Sequence, residues 1–308
     1  MNRLLATASQ SAATTLRRQH TLAIARQIPS SFVDALSHHA DSDTTTTNTV
    51  SLATSIHQHD VYLQELRKHI PTLCLPAIES HPDCLFVEDT VVAIDNVAVI
   101  THIGAASRVG EVDSVKEVLG QLGMEVVDMR SNSIINSEMN KGMSGGRSDS
   151  VAHCDGGDVL YTGRHLFVGM SNRTNELGYE LLREVFGSTV EVVKVPPVIQ
   201  GKDVLHLKSA VTHIDDNTLL APTGPLGDQL LEQTFTSRGY NAIRLPDILS
   251  CNAVTVNGHV LAQDKCDVSK QRIKEACEER GLGLTFVDTA ELAKKDAALT
   301  CCSVLLSL

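Results

Sequence analysis

Residues 251–263, CNAVTVNGHVLAQ, contain two runs of alternating apolar residues joined by Asn257 and Gly258. An Asn-Gly pair between two such runs predicts a β-hairpin, because both central residues of its tight turn need positive φ angles. A helical pattern at 269–280 and a further apolar run at 284–287 follow. We predict the fold from this unit of strand, turn, strand, helix and strand.

Three earlier segments have the same order of elements. Their first strands are predicted to begin at residues 85, 157 and 204, and each is followed by turn residues and a second apolar run. Leu, Val and Phe then recur at helical spacing over 111–122, 175–186 and 226–235. From the second unit onward the starts lie roughly 45 to 50 residues apart, a period typical of propellers and repeat arrays.

The last apolar run, residues 299–308, has no partner strand after it. The run at 22–28, a helical pattern at 50–69 and a further run at 71–76 would complete its unit. The two ends of the chain would then form the fifth unit, so the predicted fold is a five-bladed α/β propeller. A generic mixed α/β fold is the alternative that these patterns leave open.

The chain of 308 residues carries 37 acidic and 26 basic residues, a formal net charge of −11. This balance disfavours a nucleic-acid partner, which would bind a basic surface. No apolar run approaches the roughly 20 residues of a membrane span. The eight cysteines form no C-x-x-C pair, so we expect reduced thiols rather than a structural zinc site.

The first 33 residues contain no Asp or Glu. We predict residues 1–21 to be an extension and residues 22–308 to be a single domain. An acid-free extension with several arginines is typical of a mitochondrial transit peptide, and an unstructured extension of a cytoplasmic protein is the alternative. Segments 41–49 and 131–153 fall outside the repeated units and are predicted loops.

Two neighbouring cysteines lie on the predicted final strand, where successive side chains point to opposite faces. Cys302 would share an apolar face with Val304 and Leu306 and so belong to the core. Cys301 would lie on the more polar face. It is therefore a candidate nucleophile, since a thiolate beside a histidine is the reactive form of cysteine.

His206 lies in the run Val204-LHLKS, which we predict to be a strand with His206 and Lys208 on one face. A histidine in such a place is a candidate general acid/base, and a structural histidine is the alternative. The segment Asp155-Gly-Gly-Asp158 opens the second unit. Its carboxylates could orient a base or bind a cation, and an ordinary turn capped by aspartate is the alternative.

Three carboxylates, Asp83, Glu88 and Asp89, enter an apolar run within seven residues. Such groups are costly to bury unless they are paired, and a planar guanidinium would pair with them in a bidentate manner. Because Glu88 and Asp89 are neighbours, a regular strand sends them to opposite faces. Both can reach one ligand only at a strand end or a bulge.

Several stretches together resemble the dimethylarginine dimethylaminohydrolase family, within the guanidino-group-modifying superfamily of arginine deiminases and amidinotransferases. They are DCLFVEDTVV, GAASRVGEVD, DGGDVLYTGRHLFVGMSNRTNE, LHLKS, NGHVL and LTCCSVL, in the order that the family has. The resemblance implies a five-bladed α/β propeller and a cysteine hydrolase that needs no cofactor. It implies hydrolysis of asymmetric dimethylarginine or monomethylarginine to citrulline and dimethylamine or methylamine, which would relieve inhibition of nitric oxide synthesis.

The resemblance also implies roles for individual residues. Cys301 matches the nucleophile, His206 the general acid/base, and Asp155 the acid that orients the histidine. The positions implied to bind the substrate are Asp83, Glu88, Asp89, Arg108, Arg173, Lys295 and Asp296. The two arginines would hold the α-carboxylate, and Lys295 stands where the family typically has a small apolar residue. Zinc is expected to inhibit by binding Cys301 and His206.

Two other functions are weighed against this one. A related deiminase would act on arginine or agmatine and release ammonia, and a catalytically silent member would bind ligands or partners. The expected partner is a small molecule, with no nucleic acid and no membrane, and the choice between monomer and dimer is left open. The expected location is the cytoplasm, with the mitochondrion as the alternative.

Overall fold

The computed structural model describes residues 19–37, 49–131, 151–197 and 204–308, and within these ranges the chain forms five sheets of three strands each. We call each sheet with its helix a blade. The chain begins with three elements of blade 5, which are β1 (Leu22–Arg26), helix α1 (Leu52–Arg67) and β2 (Thr72–Leu75). The first strand of this blade in spatial order, β15 (Ser303–Leu306), comes from the other end of the chain.

The other four blades follow along the chain. Blade 1 has β3 (Val91–Ile94), β4 (Val97–Ile100), helix α2 (Asp113–Gln121) and β5 (Glu125–Asp128). Blade 2 has β6 (Val159–Tyr161), β7 (His165–Gly169), α3 (Glu176–Phe186) and β8 (Glu191–Val195). Blade 3 is preceded by the short helix α4 (Leu207–Ala210) and has β9 (Thr212–Asp215), β10 (Thr218–Pro222), α5 (Pro225–Leu230) and β11 (Asn241–Leu245). Blade 4 has β12 (Val254–Val256), β13 (His259–Gln263), α6 (Asp267–Arg280) and β14 (Gly283–Val287).

Every blade has the same pairing, in which the middle strand is antiparallel to the first strand and parallel to the last. The hairpin between β12 and β13 turns at Asn257 and Gly258, with φ angles of 49° and 82°. Both angles are positive, as the Asn-Gly signal requires. The predicted unit of strand, turn, strand, helix and strand is therefore confirmed.

Blade 5 joins the two ends of the chain. Strand β1 lies between β15 and β2, with Ile24 opposite Val304 on one side and opposite Leu73 on the other. The buried guanidinium of Arg26 extends this link to blade 1, because it donates to Pro76 O at 3.1 Å and to Ser114 Oγ at 2.7 Å. The predicted fifth unit is confirmed.

The hydrophobic core is divided among the interfaces between neighbouring blades, because each helix packs against the blade before it. Tyr62 and Leu66 of α1 pack with Leu261 of blade 4, and Leu119 of α2 packs with Ile24 of blade 5. The helices of blades 2, 3 and 4 likewise pack against blades 1, 2 and 3. Blade 5 thus contacts blade 4 and blade 1, and the five blades form a closed ring.

A cavity of about 660 Å³ occupies the centre of the ring. The first strand of every blade lines it, with contributions from Val91, Leu160, Ile214, Val254 and Val304. We call it the central channel. Turn residues such as Asn217 and Asn257 also line it, and so do Glu88, Lys208 and Thr300.

The predicted first strand begins too early in every blade, and the difference is largest in three of them. Residues 85–90, 204–210 and 299–302 were expected to be strand, but the strands begin later, at Val91, Thr212 and Ser303. The residues before them form short turns of helix, which are Val87–Thr90, Leu207–Ala210 and Thr300–Cys302. Each of these turns carries residues of the site described below.

Several sequence expectations fall outside the described residues. They concern most of the extension at 1–21, most of the loop at 41–49 and nearly all of the segment at 131–153. All eight cysteines lie within the described ranges and are free. Of the helices that the structure describes, none combines the length and the apolar character needed to cross a membrane.

Candidate active site

Cys301 lies in the turn Thr300–Cys302, which leads into β15. The neighbouring Cys302 is 1% exposed and belongs to the core between blades 4 and 5, whereas Cys301 is half-buried and lines a cavity of about 150 Å³. We call this cavity the site cavity. The thiol of Cys302 therefore faces the core and that of Cys301 the cavity, as expected. Both lie on a helical turn rather than on a strand.

His206 is the residue before helix α4, and its own backbone is extended, with φ −131° and ψ 160°. Its ring lines the site cavity and is 6% exposed. Nε2 lies 3.0 Å from Asp155 Oδ2, and since a carboxylate can only accept, Nε2 donates this hydrogen bond. The other oxygen of Asp155 accepts from Gly104 N at 2.7 Å, so Asp155 is held in place and fixes the imidazole ring.

The two glycines of the Asp155–Asp158 segment are needed because other groups approach their backbone closely. A Cβ on Gly157 would lie 2.6 Å from His206 Nδ1 and 2.8 Å from Asp89 Oδ1. A Cβ on Gly156 would lie 2.0 Å from Glu88 O. The backbone of Gly157 also donates to Asp89 Oδ1 at 2.9 Å. Asp155 does not cap the turn that follows it, so the expectation of an ordinary capped turn is wrong.

Asp158 has a role that the sequence analysis missed. Its carboxylate accepts from Leu207 N at 3.0 Å, from Ser171 Oγ at 2.6 Å and from Thr174 Oγ1 at 2.7 Å. The bond to Leu207 holds the start of helix α4, and with it His206, against blade 2. The second aspartate of the Asp-Gly-Gly-Asp segment was the available signal.

Asp89 and Arg108 form a buried ion pair beside the histidine. Arg108 donates to Asp89 Oδ2 at 2.7 Å, to Glu111 Oε2 at 2.8 Å and to Phe86 O at 3.1 Å. Burial alone would raise the pKa of Asp89, but His206 and Arg108 outweigh it and lower that pKa. Glu111, which the sequence analysis missed, is fully buried, and burial raises its pKa to about 6. The guanidinium of Arg108 is thus occupied by protein groups.

Glu88 does not line the site cavity and instead faces the central channel. Its Oε1 lies 2.6 Å from Lys208 Nζ, and its Oε2 accepts from Thr300 Oγ1 at 2.9 Å. Asn252, another missed residue, accepts from Thr300 N at 3.0 Å and donates to Lys208 O at 3.0 Å. This buried network joins the turn that carries Cys301 to the helix that follows His206.

Replacing Glu88 by glutamine is expected to destabilise the protein. Lys208 would keep a charge that is only 15% exposed, and losing one partner of such a pair costs about 3 kcal/mol. The free energy of unfolding measured in urea should fall by this amount, and a second change, Lys208→Met, should restore part of it. Glu176→Gln is the matched control, because its pair with Lys194 is exposed and contributes less than about 1 kcal/mol. Equal losses for both variants would contradict a buried clamp.

Four further predicted residues line the site cavity, namely Asp83, Arg173, Lys295 and Asp296. Burial raises the pKa of Asp83, an effect that Arg108, the Leu36 N–H and Arg173 partly oppose. Asp296 follows the turn Leu292–Lys295 with a φ of 58°. Within the described part of the chain, the guanidinium of Arg173 makes no hydrogen bond or ion pair, unlike that of Arg108.

The charges around His206 decide its protonation. Burial lowers the pKa of His206, but Asp89, Asp155 and Asp158 outweigh burial and raise it to about 9, so the ring is cationic at neutral pH. Burial raises the pKa of the Cys301 thiol well above its usual value, and the carboxylates of Glu88 and Asp89 raise it further. The site at rest therefore pairs a neutral thiol with an imidazolium.

Three side chains could contribute to a metal site. One donor atom from each of Asp89, Asp155 and His206 lies within 4.8 Å of the other two. Nitrogen and oxygen ligands of this kind suit zinc. In the structure the same atoms bond to one another, to Arg108 and to Gly157, so a metal would have to displace existing hydrogen bonds.

The arrangement combines the groups that covalent catalysis at a cationic carbon needs. A thiol and an imidazolium face the same cavity, and a buried carboxylate orients the imidazole. The carboxylates of Asp83, Asp89, Asp155 and Asp296 line the cavity together with the cationic groups of Arg108, Arg173, Lys295 and His206. The cavity therefore offers partners for a cationic and for an anionic group of one ligand. The guanidinium of Arg173 lines the cavity and has no partner within the described part of the chain, so it could bind an anionic group of the same ligand.

Comparisons with known proteins agree with this geometry. The sequence model for arginine deiminase matches residues 5–241. An N(G),N(G)-dimethylarginine dimethylaminohydrolase of Streptomyces coelicolor is 32% identical over 251 residues, which cover 81% of this chain and 85% of the relative. The enzyme of the same description from Pseudomonas aeruginosa is 28% identical over 258 residues, covering 82% and 88%.

Solved structures share the fold. The Pseudomonas aeruginosa enzyme, as a cysteine-to-serine variant complexed with citrulline, superposes with a TM-score of 0.74 at 24% identity and covers 94% of this chain and 100% of its own. The N-terminal domain of ArgZ, a cyanobacterial arginine dihydrolase bound to product, superposes with a TM-score of 0.69 at 16% identity, covering 94% and 98%.

The fold, the site cavity and the family match together place the chain in the class of five-bladed α/β propeller enzymes that modify guanidino groups. The chain belongs to the arginine deiminase family, and its relatives there include the dimethylarginine dimethylaminohydrolases.

Proposed function

We propose that this protein is a dimethylargininase, which hydrolyses asymmetric dimethylarginine and monomethylarginine to citrulline and dimethylamine or methylamine. The observation that carries the proposal is the site cavity, in which Cys301, a His206–Asp155 pair and acidic side chains converge. Relatives named for this activity support the choice of substrate. The reaction uses water and side chains alone, without a cofactor.

The proposed reaction begins with binding of the cationic guanidinium group by Asp83 and Asp89. This positive charge lowers the pKa of the Cys301 thiol, which burial and the carboxylates otherwise raise. The thiol gives its proton to solvent, and the thiolate attacks the guanidinium carbon. A sulfur–carbon bond forms while the π bond between this carbon and one nitrogen becomes a lone pair on that nitrogen. His206 is an imidazolium at neutral pH, so it can protonate the departing nitrogen when the carbon–nitrogen bond breaks.

A covalent thiouronium on Cys301 remains after the amine has left. The neutral His206 then takes a proton from water, and the resulting hydroxide attacks the same carbon. The hydroxyl group on this carbon passes its proton to the departing sulfur as the sulfur–carbon bond breaks. Citrulline leaves, the thiol of Cys301 is restored, and His206 is again an imidazolium. Asp155 keeps the ring oriented throughout by its 3.0 Å hydrogen bond to Nε2.

The remaining residues have positioning and binding roles in this proposal. Arg173 holds the α-carboxylate of the substrate, because its guanidinium lines the site cavity and has no partner within the described residues. Arg108 orients Asp89 instead, since its own donors are taken by Asp89, Glu111 and Phe86 O. Glu88 acts through the clamp with Lys208 and Thr300 rather than by contact with the substrate.

An arginine deiminase is the second candidate, favoured by the family model that matches residues 5–241. Purified protein should be incubated in parallel with asymmetric dimethylarginine, monomethylarginine, arginine and agmatine, with detection of the ureido product and of the released amine. Turnover of the methylated arginines alone supports the proposal. Ammonia from arginine or agmatine at a higher kcat/KM would replace it with the deiminase, and a folded protein without turnover would indicate a silent member.

We further propose that residues 22–308 act as one catalytic domain in the cytoplasm and there relieve inhibition of nitric oxide synthesis. Closure of blade 5 by both chain ends supports the single domain. Mass spectrometry of the mature N-terminus from the native source tests the location. Cleavage near residue 21 would favour the mitochondrial alternative.

Zinc is expected to inhibit the enzyme. Cys301 and His206 line one cavity, and a thiolate with an imidazole is a strong zinc donor pair. In a chelator-free assay, micromolar zinc should lower the rate, and EDTA should restore it. Bound metal should fall from one ion per chain to none in Cys301→Ala, while Cys266→Ala, a change at a cysteine remote from the cavity lining, should leave it unchanged. Full activity in excess zinc would contradict this prediction.

A further inference from the structure

The segment Ala35, Leu36 and Ser37 lies over the site cavity, and we call it the cover. Leu36 and Ser37 line the cavity, yet the side chain of Leu36 is 46% exposed. Two buried residues anchor this stretch. Phe32 is fully buried and meets the ring of Phe86 edge-on at 6.3 Å between ring centroids, and Ala35 is 4% exposed, whereas Val33 between them is 42% exposed. The cover thus extends from a fixed base across the mouth of the cavity.

Two polar contacts hold the cover in this position. Leu36 N donates to Asp83 Oδ1 at 3.0 Å, and Lys295 Nζ donates to Ala35 O at 2.9 Å. A separate contact holds the base, where Glu79 Oε2 accepts from Ser30 N at 2.9 Å and from Ser30 Oγ at 2.6 Å. The base is therefore anchored independently of Lys295, and Lys295 acts on the cover alone.

Lys295 also lines the cavity and comes from a segment 260 residues away from Ala35 in the chain. It ends the turn Leu292–Lys295, which comes shortly before the turn that carries Cys301. Its ammonium bonds to a backbone carbonyl, so the charge links the nucleophile's side of the cavity to the cover. The cavity takes a cationic guanidinium in the proposed function, and a lysine ammonium would repel that group rather than bind it.

We propose that Lys295 is a positioning residue that keeps the cover closed when the cavity holds no substrate, so that opening of the cover precedes entry. This inference rests on the proposed function only in that the substrate enters the site cavity. Removing the ammonium frees the carbonyl of Ala35, and the cover then opens more often. Access of any small molecule to Cys301 increases accordingly.

Access can be measured without turnover, by alkylating the substrate-free protein with iodoacetamide and following Cys301 by peptide mass spectrometry. Lys295→Met should raise the alkylation rate about tenfold, the factor that corresponds to about 1.4 kcal/mol. Lys295→Arg keeps a donor of similar reach and should remain near the wild-type rate. Cys266 in the same samples serves as an internal reference for reagent and pH.

Lys294→Met is the matched control. Lys294 lies on the same turn but pairs with Glu291 at 2.9 Å and donates to Thr49 O at 3.4 Å, away from the cavity lining. In Lys294→Met, Cys301 should be alkylated at the same rate as in the wild type. Loss of a nearby positive charge by itself raises the thiol pKa and slows alkylation, so faster alkylation of Lys295→Met cannot arise from the lost charge.

Amide hydrogen exchange at Leu36 provides the second measurement, because its N–H is bonded to Asp83 in the closed cover. Exchange should accelerate in Lys295→Met and not in Lys294→Met. Unchanged alkylation and exchange in a folded Lys295→Met would overturn the inference. If Lys295→Met does not fold, Lys295→Gln takes its place and the same two outcomes decide. If none of the four substrates is turned over but Cys301 is alkylated faster in Lys295→Met, the proposed function is rejected and the role of Lys295 stands.

Discussion

Replacement of Cys301 by alanine is expected to lower kcat by on the order of 10⁴- to 10⁶-fold, the cost of removing the nucleophile from a covalent mechanism. The half-buried thiol is the cavity-facing sulfur of the Thr300–Cys302 turn, so alanine leaves the turn intact while removing the group that attacks. Product should be followed by citrulline formation at saturating asymmetric dimethylarginine. In the wild type, a rapid acid quench should trap the covalent intermediate as a mass increase on the peptide that contains Cys301.

Cys302→Ala is the matched control, because it removes the same atom one residue away. Cys302 is 1% exposed and donates to Ala298 O at 3.5 Å, so its loss leaves a small void in the core. We expect a loss of about 1–2 kcal/mol in the free energy of unfolding and a kcat within a few-fold of the wild type. A Cys302→Ala variant as inactive as Cys301→Ala, with a folded structure, would remove the basis for assigning Cys301 as the nucleophile.

Asp155→Asn is expected to lower kcat by about 10²- to 10⁴-fold, the usual contribution of general acid/base catalysis. Asparagine has nearly the shape of aspartate but lacks the negative charge of the carboxylate, whose Oδ2 accepts from His206 Nε2 at 3.0 Å. The orientation of the imidazole and its affinity for a proton both weaken. The decrease should appear mainly in kcat rather than in KM, because Asp155 acts through His206.

The pH profile gives Asp155 a second and more specific test. His206 protonates the leaving amine, so the rate falls as pH rises through the pKa of His206, which is about 9 in the free protein. Removing the charge of Asp155 lowers that pKa, while Asp89 and Asp158 continue to oppose the effect of burial. The alkaline limb of the profile should therefore move to lower pH in Asp155→Asn.

The control is Asp128→Asn at the end of β5. Asp128 is also a mostly buried carboxylate, but it pairs with Lys116 and Arg130 and does not line the site cavity. Its replacement should reduce stability and leave the alkaline limb in place. A limb that shifts equally in both variants, or in neither, would contradict the assignment of that limb to His206.

The repeated unit and the closure of the ring could be read from the sequence because both depend on local patterns. Asn257-Gly258 marks a hairpin through the φ angles that it favours, and apolar spacing marks the helices. The unpaired run at the C-terminus required a partner, and β1 was the run able to supply it. The hairpins and the helices are decided within a few residues of chain, and the closure followed from the one run left without a partner. A single sequence was therefore enough.

The turns that carry the site were missed for a physical reason. Val87–Thr90, Leu207–Ala210 and Thr300–Cys302 continue directly into strands, and their apolar residues extend the strand pattern backward. A periodicity of two cannot distinguish a strand from one turn of helix at its start. The tertiary structure decides in favour of the turns, because groups such as the carboxylate of Asp158 and the side chain of Asn252 hold the backbone of Leu207 and of Thr300.

The sequence by itself determined the five blades, their order and the family to which the chain belongs. Only the tertiary structure showed that Glu88 faces the central channel while its neighbour Asp89 faces the site cavity. It also showed that Arg108 is occupied by carboxylates and that Lys295 binds the carbonyl of Ala35, 260 residues earlier in the chain. The reason is that hydrogen bonds and ion pairs depend on distances between groups far apart in sequence, which the closed ring of blades sets.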